Sequence, residues 1–435
     1  MRLVSFCIAV LFACTLQAQL PYARIDSISY AQYLKGDAIG LRHTLKEAKA
    51  KDIDFYYLRM RAGIAHYNKG NYEFAASQFK RALRYFPADS LAAEYLYFSY
   101  AYTGRSFEAM DASRHLNSSQ IKNYGIRVKP IESITLTGGY AVSNNQSKNG
   151  GIQLWSPAAK YGEYFNLNNW GLGQLTLTGN ISKRIRYTAA YTYLNLQNTH
   201  RVQDGSQNIS ADFTTTQHDG YLAPSFYLGK GFYFSPAGHI INYRFTTFIR
   251  SYYPAPPVST IDSVSKLYFY GGAELGYRFK YGNLALTGGA SNINNDSTSY
   301  HGGAAFTYYP LGNTRLYSTT KLLYLKTAKS YFTFSQKIGF MLTKKIWAEA
   351  NFTKGRMRFF ADDNGFTIYN SPDEITMRAG INLNFYISKL ISINFGYSYI
   401  TREGSYMRSV NLNNNTFTPT TYNNHLVLTG ITFTP

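Results

Sequence analysis

The chain of 435 residues has two cysteines, Cys7 and Cys14, and both lie in its first 18 residues. With that segment removed, the remaining chain has no thiol, which excludes disulfides, cysteine catalysis and thiolate metal sites. Charge is also scarce. Asp, Glu, Lys and Arg make up 16% of the sequence, well under the quarter typical of soluble domains. Acidic residues are the scarcer kind, 24 against 44 Lys and Arg, which leaves a formal net charge of +20. Long hydrophobic runs are missing too. Beyond the N-terminus no stretch reaches the roughly 18 consecutive apolar residues of a membrane-spanning helix. Tryptophan is rare, at 3 residues, while Tyr and Phe are abundant, at 41 and 29. Tyr joins an apolar ring to a polar tip, which suits strands and the boundary between water and lipid.

The first feature present is an export signal. Arg2 supplies a basic start, Leu3 to Leu16 an apolar run, and Leu16-Gln17-Ala18 a small residue at the cleavage position. Residues 1–18 read as a signal peptide and the mature chain as beginning at Gln19. A second reading stays open. Leu11-Phe12-Ala13-Cys14 has the form of a lipidation motif, with Cys14 as the lipidated end.

Residues 19–124 carry Ala-rich, Lys- and Glu-bearing sequence without strand alternation. Gly36, Gly70 and Gly104 are spaced by 34, and Ala48/Ala82, Ala75/Ala109 and Leu45/Phe79 keep the same step. A fixed period in this range marks stacked supersecondary units. In the middle unit Gly63, Gly70-Asn71-Tyr72, Ala75, Phe79, Ala82 and Pro87 resemble the tetratricopeptide repeat, a pair of antiparallel helices. Small residues let the helices approach, aromatic residues fill the gap, and Pro ends the second helix. The resemblance implies a concave face that binds a periplasmic protein through residues 25–120. A spacer, or a plug for the mouth of a barrel, is the competing use of the same helices. Residues 125–130 then read as a linker, with Gly125 breaking the helix and Pro130 preceding the first strand.

From residue 131 to 435 the pattern changes to strict alternation. In Leu390–Arg402, Ile391, Ile393, Phe395, Tyr397 and Tyr399 share one face, and Ser392, Asn394, Gly396 and Ser398 the other. Fourteen such runs succeed one another: 131–143, 172–182, 185–197, 211–228, 232–250, 266–279, 283–292, 299–310, 314–326, 329–342, 345–360, 373–387, 390–403 and 422–434. Links after even-numbered runs are tight, as at Lys183-Arg184 and Ser388-Lys389. Most links after odd-numbered runs are long and polar, as at 144–171, 198–210, 251–265, 361–372 and 404–421. Short turns at one rim and long loops at the other predict a transmembrane antiparallel β-barrel of about 14 strands. It must be closed, because an open sheet edge in lipid leaves backbone groups unpaired. Both barrel ends then lie at the short-turn rim, which puts the helical repeats in the periplasm. The expected fold is therefore an α + β two-domain chain in the cell outer membrane, helical repeats first and barrel second.

With the greasy face turned to lipid, the lumen is expected to hold Arg244, Glu274, Arg278, Arg315, Lys321, Lys337, Glu349 and Arg378. Six bases against two acids favour anions; an internal salt-bridge network is the competing reading. His200, His218 and His301 come with no nucleophile motif, although Ser297 and Ser299 precede His301. No catalytic residue, and so no enzyme, is expected. Asp362-Asp363-Asn364-Gly365 is an acidic turn without the ligand spacing of a calcium loop, so it serves to turn the chain. No metal and no other cofactor is expected. Tyr252-Tyr253, Tyr308-Tyr309 and Trp155 read as interface anchors, with stacking on sugar rings as the alternative. The basic surface suits outer-membrane lipid and lipopolysaccharide; export argues against nucleic acid.

Helical repeats followed by a barrel resemble YaiO-like outer-membrane barrels and the exopolysaccharide-export porins, and the Asn- and Tyr-rich strands resemble envelope proteins of Bacteroidota. The resemblance implies a non-enzymatic porin or export channel for anionic or sugar-rich solutes. A structural or assembly component, whose repeats dock a periplasmic partner, is the alternative.

Overall fold

The computed structural model describes residues 21–144, 154, 161–204, 207–250, 259–294, 297–371, 373–409 and 415–435. The signal segment, Cys14, Trp155 and Tyr252-Tyr253 lie outside these residues. The described chain forms two compact units. One comprises residues 21–127 with two short segments, 279–281 and 309–315; the other holds the remaining residues.

The first unit is helical: α1 (21–34), α2 (Ala38–Ala50), α3 (Tyr56–Asn68), α4 (Tyr72–Tyr85), α5 (Ser90–Ala101), α6 (Ser106–Ala112) and α7 (Ser118–Asn123). The 34-residue step has a backbone cause. Gly36, Gly70 and Gly104 each close the first helix of a pair at positive φ (65°, 75° and 69°), a conformation that costs a side-chain-bearing residue about 1–2 kcal/mol. Past each glycine the chain bonds back in the same way. The N–H groups of Asp37, Asn71 and Arg105 donate to the carbonyls of Gln32, His66 and Tyr100, each at 2.9 Å. Asp37 and Asn71 then cap the next helix, accepting the N–H of Gly40 (2.8 Å) and Phe74 (3.1 Å).

The other positions that keep the step pack between helices. Ala75, Phe79 and Ala82 of α4 are fully buried. Ala109, one step beyond Ala75, is buried on α6 and joins the same apolar cluster. That third unit is shorter than the second: α6 has 7 residues where α4 has 14, so Ala109 keeps its packing place on a helix half as long. Pro87 is exposed in the turn just past the end of α4, where its ring cannot continue the helix. Gly63 lets α3 meet the Phe79 ring, since a Cβ there would sit 2.6 Å from it. Two apolar clusters result, one through α2 and α3 around Leu41 and Leu58, the next through α4, α5 and α6 around Phe79, Leu96 and Ala109.

The second unit is built from β1 (Ser133–Ser143), β2 (Tyr161–Ser182), β3 (Ile185–Asp204), β4 (Gln207–Gly229), β5 (Phe232–Arg250), β6 (Ser259–Phe279), β7 (Gly282–Asn294), β8 (Ser297–Tyr308), β9 (Leu316–Lys326), β10 (Ser330–Thr343), β11 (Ile346–Met357), β12 (Phe360–Asp362), β13 (Thr367–Tyr369), β14 (Glu374–Tyr386), β15 (Ile391–Ser409) and β16 (Asn415–Phe433). Fourteen of these close into one antiparallel barrel, with β1 paired to β16; β12 and β13 form a hairpin of their own. The fourteen wall strands match the fourteen alternating runs one for one.

The differences lie at the long-loop rim. Strands β2, β3, β4, β6, β15 and β16 run 19 to 23 residues, about twice the 9–11 needed to cross a bilayer. Much of 198–210 and 404–421, expected as loop, is therefore strand. Its Thr, Asn and Gln residues pair beyond the apolar band, where both faces can be polar and alternation vanishes. There β15 outruns β14 and takes β2 as neighbour instead, with Tyr406 opposite Tyr164 and Ser409 opposite Tyr161. The outward positions form a belt of exposed apolar side chains that includes Leu136, Leu175, Leu222, Ile240, Leu267, Leu322, Phe332, Phe395 and Val427. On β15, Phe395 and Tyr397 are exposed outward while Ser398 is buried on the inward face.

Candidate functional site in the barrel lumen

Sequence alternation sends every second residue of the wall inward, and the structure fills that space with a piece of the chain itself. The β12–β13 hairpin, expected as plain loop, folds into the lumen. Its turn uses consecutive left-handed residues at Asp363, Asn364 and Gly365, residue types that tolerate this conformation. The hairpin touches strands around the wall. The Asn364 amide donates to the Ser235 carbonyl (2.8 Å), His239 Nδ1 donates to the Gly365 carbonyl (2.7 Å), and the Asn370 amide donates to Gln217 Oε1 (2.6 Å). On β15, Arg402 donates to Ser371 Oγ and to Asn424 Oδ1, both at 2.6 Å. On β9, Lys321 reaches Asp362 at 3.1 Å and also pairs with Asp363. The acidic turn thus does more than reverse the chain.

The residues expected in the lumen divide. Glu274, Arg278, Lys321, Lys337, Glu349 and Arg378 fall on inward positions of their strands. Lys337 pairs with Glu349 at 3.4 Å, Tyr317 donates to Glu349, and Arg378 bonds Ser398 Oγ (3.3 Å) and the Tyr369 hydroxyl (3.5 Å). Two residues do not belong there. Arg244 is exposed and lies opposite Thr216 and Ser265, in phase with Ile240 of the outward belt. Arg315 is exposed in the turn before β9, outside the barrel unit. With Lys321 and Lys337 matched to carboxylates, the expected excess of free cations is largely removed.

Sequence reasoning missed the apolar half of the lumen. Trp170, Leu172, Leu194, Leu196, Ile400, Leu426 and Leu428 point inward, and with Phe366 and Ile368 of the hairpin they line a cavity of about 270 Å³. Polar side chains share its wall, among them Gln174, Gln217, Asp219, His239, Arg378 and Arg402. A signal was present, since Leu426-Val427-Leu428 and Tyr399-Ile400 are consecutive apolar residues, and a strand with apolar side chains in both phases is covered on both faces.

His301 makes a contact that resembles a nucleophile–base pair, with Nε2 2.8 Å from Ser291 Oγ. Its Nδ1 accepts the Ala361 N–H at 3.4 Å, so the proton sits on Nε2 and the ring donates to the serine. That polarity cannot take a proton from Ser291. Among the described residues no group of three or more His, Cys, Asp or Glu is placed to hold a metal ion.

No protein-family model and no curated protein matches the sequence. Solved structures that resemble it include a FadL homologue of Pseudomonas aeruginosa, 10% identical over 71% of this chain and 91% of that one, TM-score 0.46. A deletion mutant of TodX, a monoaromatic hydrocarbon channel, is 7% identical over 74% of this chain and 94% of its own, TM-score 0.48. A bacterial polysaccharide outer membrane secretin is 9% identical over 70% and 98%, TM-score 0.36.

The helical unit has a groove of its own, of about 460 Å³, lined by Lys49, Asp52, Ile53, Asp54, Arg59, Arg81, Arg84 and Tyr85. Arg59 is tied to Asp54 (2.6 Å) and Gln78 (2.8 Å). Elsewhere in this unit burial opposes the charge of Arg105, but Glu73 and Glu108, at 2.9 and 2.8 Å, outweigh it and raise its pKa. Burial, helped by the Arg42 charge, pushes the His66 imidazole down to about 4.

Proposed function

We propose that the chain is an outer-membrane channel for small, largely apolar molecules, with the inward β12–β13 hairpin controlling passage. The observation that carries this reading is the apolar patch that Trp170, Ile400 and the inward leucines of β2, β3 and β16 form on the wall of the cavity beside the hairpin, because lumens that pass sugars or ions are lined by polar residues and water. The closed sheet with its exposed apolar belt supports a place in the membrane. The matched charges of Lys321 and Lys337 weigh against the anion path suggested by composition. In this reading the helical unit lies in the periplasm, and its basic groove docks an acidic segment of a protein partner.

The experiment is entry into porin-depleted Gram-negative cells expressing the full chain. Uptake of the apolar dye N-phenyl-1-naphthylamine is expected to rise over cells carrying an empty vector. Swelling of vesicles reconstituted with the purified chain should stay at background in glucose or arabinose. Rapid swelling in either sugar, with no gain in dye uptake, would reverse the proposal.

A further inference from the structure

At the long-loop rim the strands differ in what they turn outward. On β6 the outward residues above Leu267 are Ser265 and Ser263, and on β16 those above Val427 end in Asn423 and Thr421. On β9 to β11 the same positions carry lysine. Lys326 ends β9 in phase with exposed Leu322, and Lys354 of β11 stands opposite exposed Phe334. Lys329 lies exposed in the link between β9 and β10. Among the described residues none of these three lysines has a carboxylate within salt-bridge distance. Arg356, further along β11, is matched to Glu374 at 3.0 Å. Aromatic rings fill the space between the lysines. Phe332 on β10 is 73% exposed, and Tyr300, opposite Lys326, is 59% exposed. Strand length sets the depth of this face. β8, β9, β10 and β11 have 12, 11, 14 and 12 residues, close to the 9–11 that cross a bilayer. Their ends therefore lie at the level of lipid headgroups, and the link of three residues between β9 and β10 forms no loop above them.

We propose that this outward face of β8–β11 binds the headgroup of a bisphosphorylated glycolipid of the outer leaflet, of the lipid A kind. Lys326 and Lys329 hold one phosphate and Lys354 holds the other, while acyl chains lie along Phe332 and Phe334. The spacing of the lysines selects two phosphates. Lys326 faces Ser330 on β10, and Lys354 faces Phe334 on the same strand. Strands about 4.8 Å apart with a rise of about 3.4 Å per residue then set the two Cα atoms roughly 15–20 Å apart. A lipid with one phosphate reaches one pole; a sugar headgroup phosphorylated at both ends reaches both. Glu374 and Glu403, directly opposite each other on β14 and β15, bound the basic face on its far side. The inference rests on the barrel's place in the outer membrane and not on what its lumen passes.

The test is titration of the full chain in detergent micelles with bisphosphorylated lipid A and with the same lipid stripped of its phosphates, followed by thermophoresis. Each lysine near an anionic lipid surface strengthens binding about fivefold, so the phosphorylated form is expected to bind at least about tenfold tighter. The combined variant Lys326→Ser, Lys329→Ser, Lys354→Ser should bind both forms equally. A control variant removes the same charge from three exposed lysines of the short-turn rim: Lys183→Ser, Lys344→Ser, Lys389→Ser. It should keep the preference of the parent chain. Heat-modifiable migration on gels checks that each variant is folded. Equal affinity of the parent chain for the two lipids, or no binding of either, would overturn the proposal. A preference that survives the first variant would overturn it too, and an equal loss in the control would assign the effect to net charge. None of these results touches the dye-uptake experiment, which decides the channel separately.

Discussion

Replacing Lys321 with Met strikes the hairpin at its strongest electrostatic anchor. The Lys321 side chain is 14% exposed and its partner Asp362 12%, whereas Asp363 is half exposed. The substitution therefore leaves one well-buried carboxylate without a cation and a second one in contact with water. Removing one partner of a fully buried pair costs about 3–5 kcal/mol. The half-exposed Asp363 and a partly wet lumen argue for the low end, about 3 kcal/mol. The bonds from His239, Asn364 and Asn370 remain, so the hairpin is loosened and not lost. About 3 kcal/mol shifts its docked-to-undocked ratio by roughly 100-fold. In planar bilayers the parent chain should show rare, brief openings, and Lys321→Met should raise the open probability by one to two decades. The combined change Lys321→Met, Asp362→Leu, Asp363→Asn leaves no carboxylate unpaired and should restore closure, because the penalty comes from the orphaned charge and not from the missing pair. Unchanged open probability in the single variant would refute the anchor. So would a combined variant as open as the single one.

Other outcomes are expected. The folded-state pKa of His66, near 4, lies below its ordinary value of 6.5. The unfolded chain therefore binds the extra proton first, and the helical unit should lose stability as pH falls from about 6.5 to about 4; hydrogen exchange of α3 and α4 amides at pH 7 and 5 reads this, and His66→Phe should flatten it. Gly70→Ala, at φ 75°, should destabilise the same unit by about 1–2 kcal/mol, seen in chemical unfolding followed by Tyr fluorescence. A Lys at Ile393, on the outward belt, should cost the barrel about 2–4 kcal/mol near the bilayer midplane, while a Lys at inward Asn394 should be mild; the reverse ranking in refolding assays would shift the register by one. Arg81→Glu with Arg84→Glu should weaken binding of a hexaglutamate peptide to the full chain, measured by fluorescence anisotropy, and unchanged binding would remove the acidic partner.

The wall of the barrel was legible because lipid and lumen impose opposite demands on neighbouring residues, and the sequence around Ile393 and Asn394 records both. The same logic misled where the inside is not polar. Inward Leu172, Leu194 and Leu428 line the same cavity as Phe366 and Ile368 of the hairpin, so polarity no longer reports direction. Arg244 failed for a related reason: near the long-loop rim the outward face leaves the apolar belt, and a charge there meets water or headgroups. The hairpin at 360–369 was hidden by its composition. Asp, Asn and Gly announce a turn, but only the pairing of Asp362 with Lys321, 41 residues away in sequence, determines where that turn goes. Gly36, Gly70 and Gly104 marked the breaks between helices, because a left-handed position is a local demand that neighbours in space do not alter. Ala109 carried only part of its own: the small side chain marked a buried place between helices, but not that its helix would stop after 7 residues.

The exchange of neighbours at the end of β15 bears on how the molecule is made. Tyr161–Tyr164 pairs with Tyr406–Ser409, partners separated by some 240 residues of chain. Joining such distant segments first would carry a large loop-closure cost, so this ladder should assemble after the intervening strands are in place. Its amides are then a clock for completion. During refolding into lipid they should gain protection from solvent exchange later than those of β7 and β8, whose pairing is local, and a variant that stalls before closure should leave them exposed while the early hairpins are already protected.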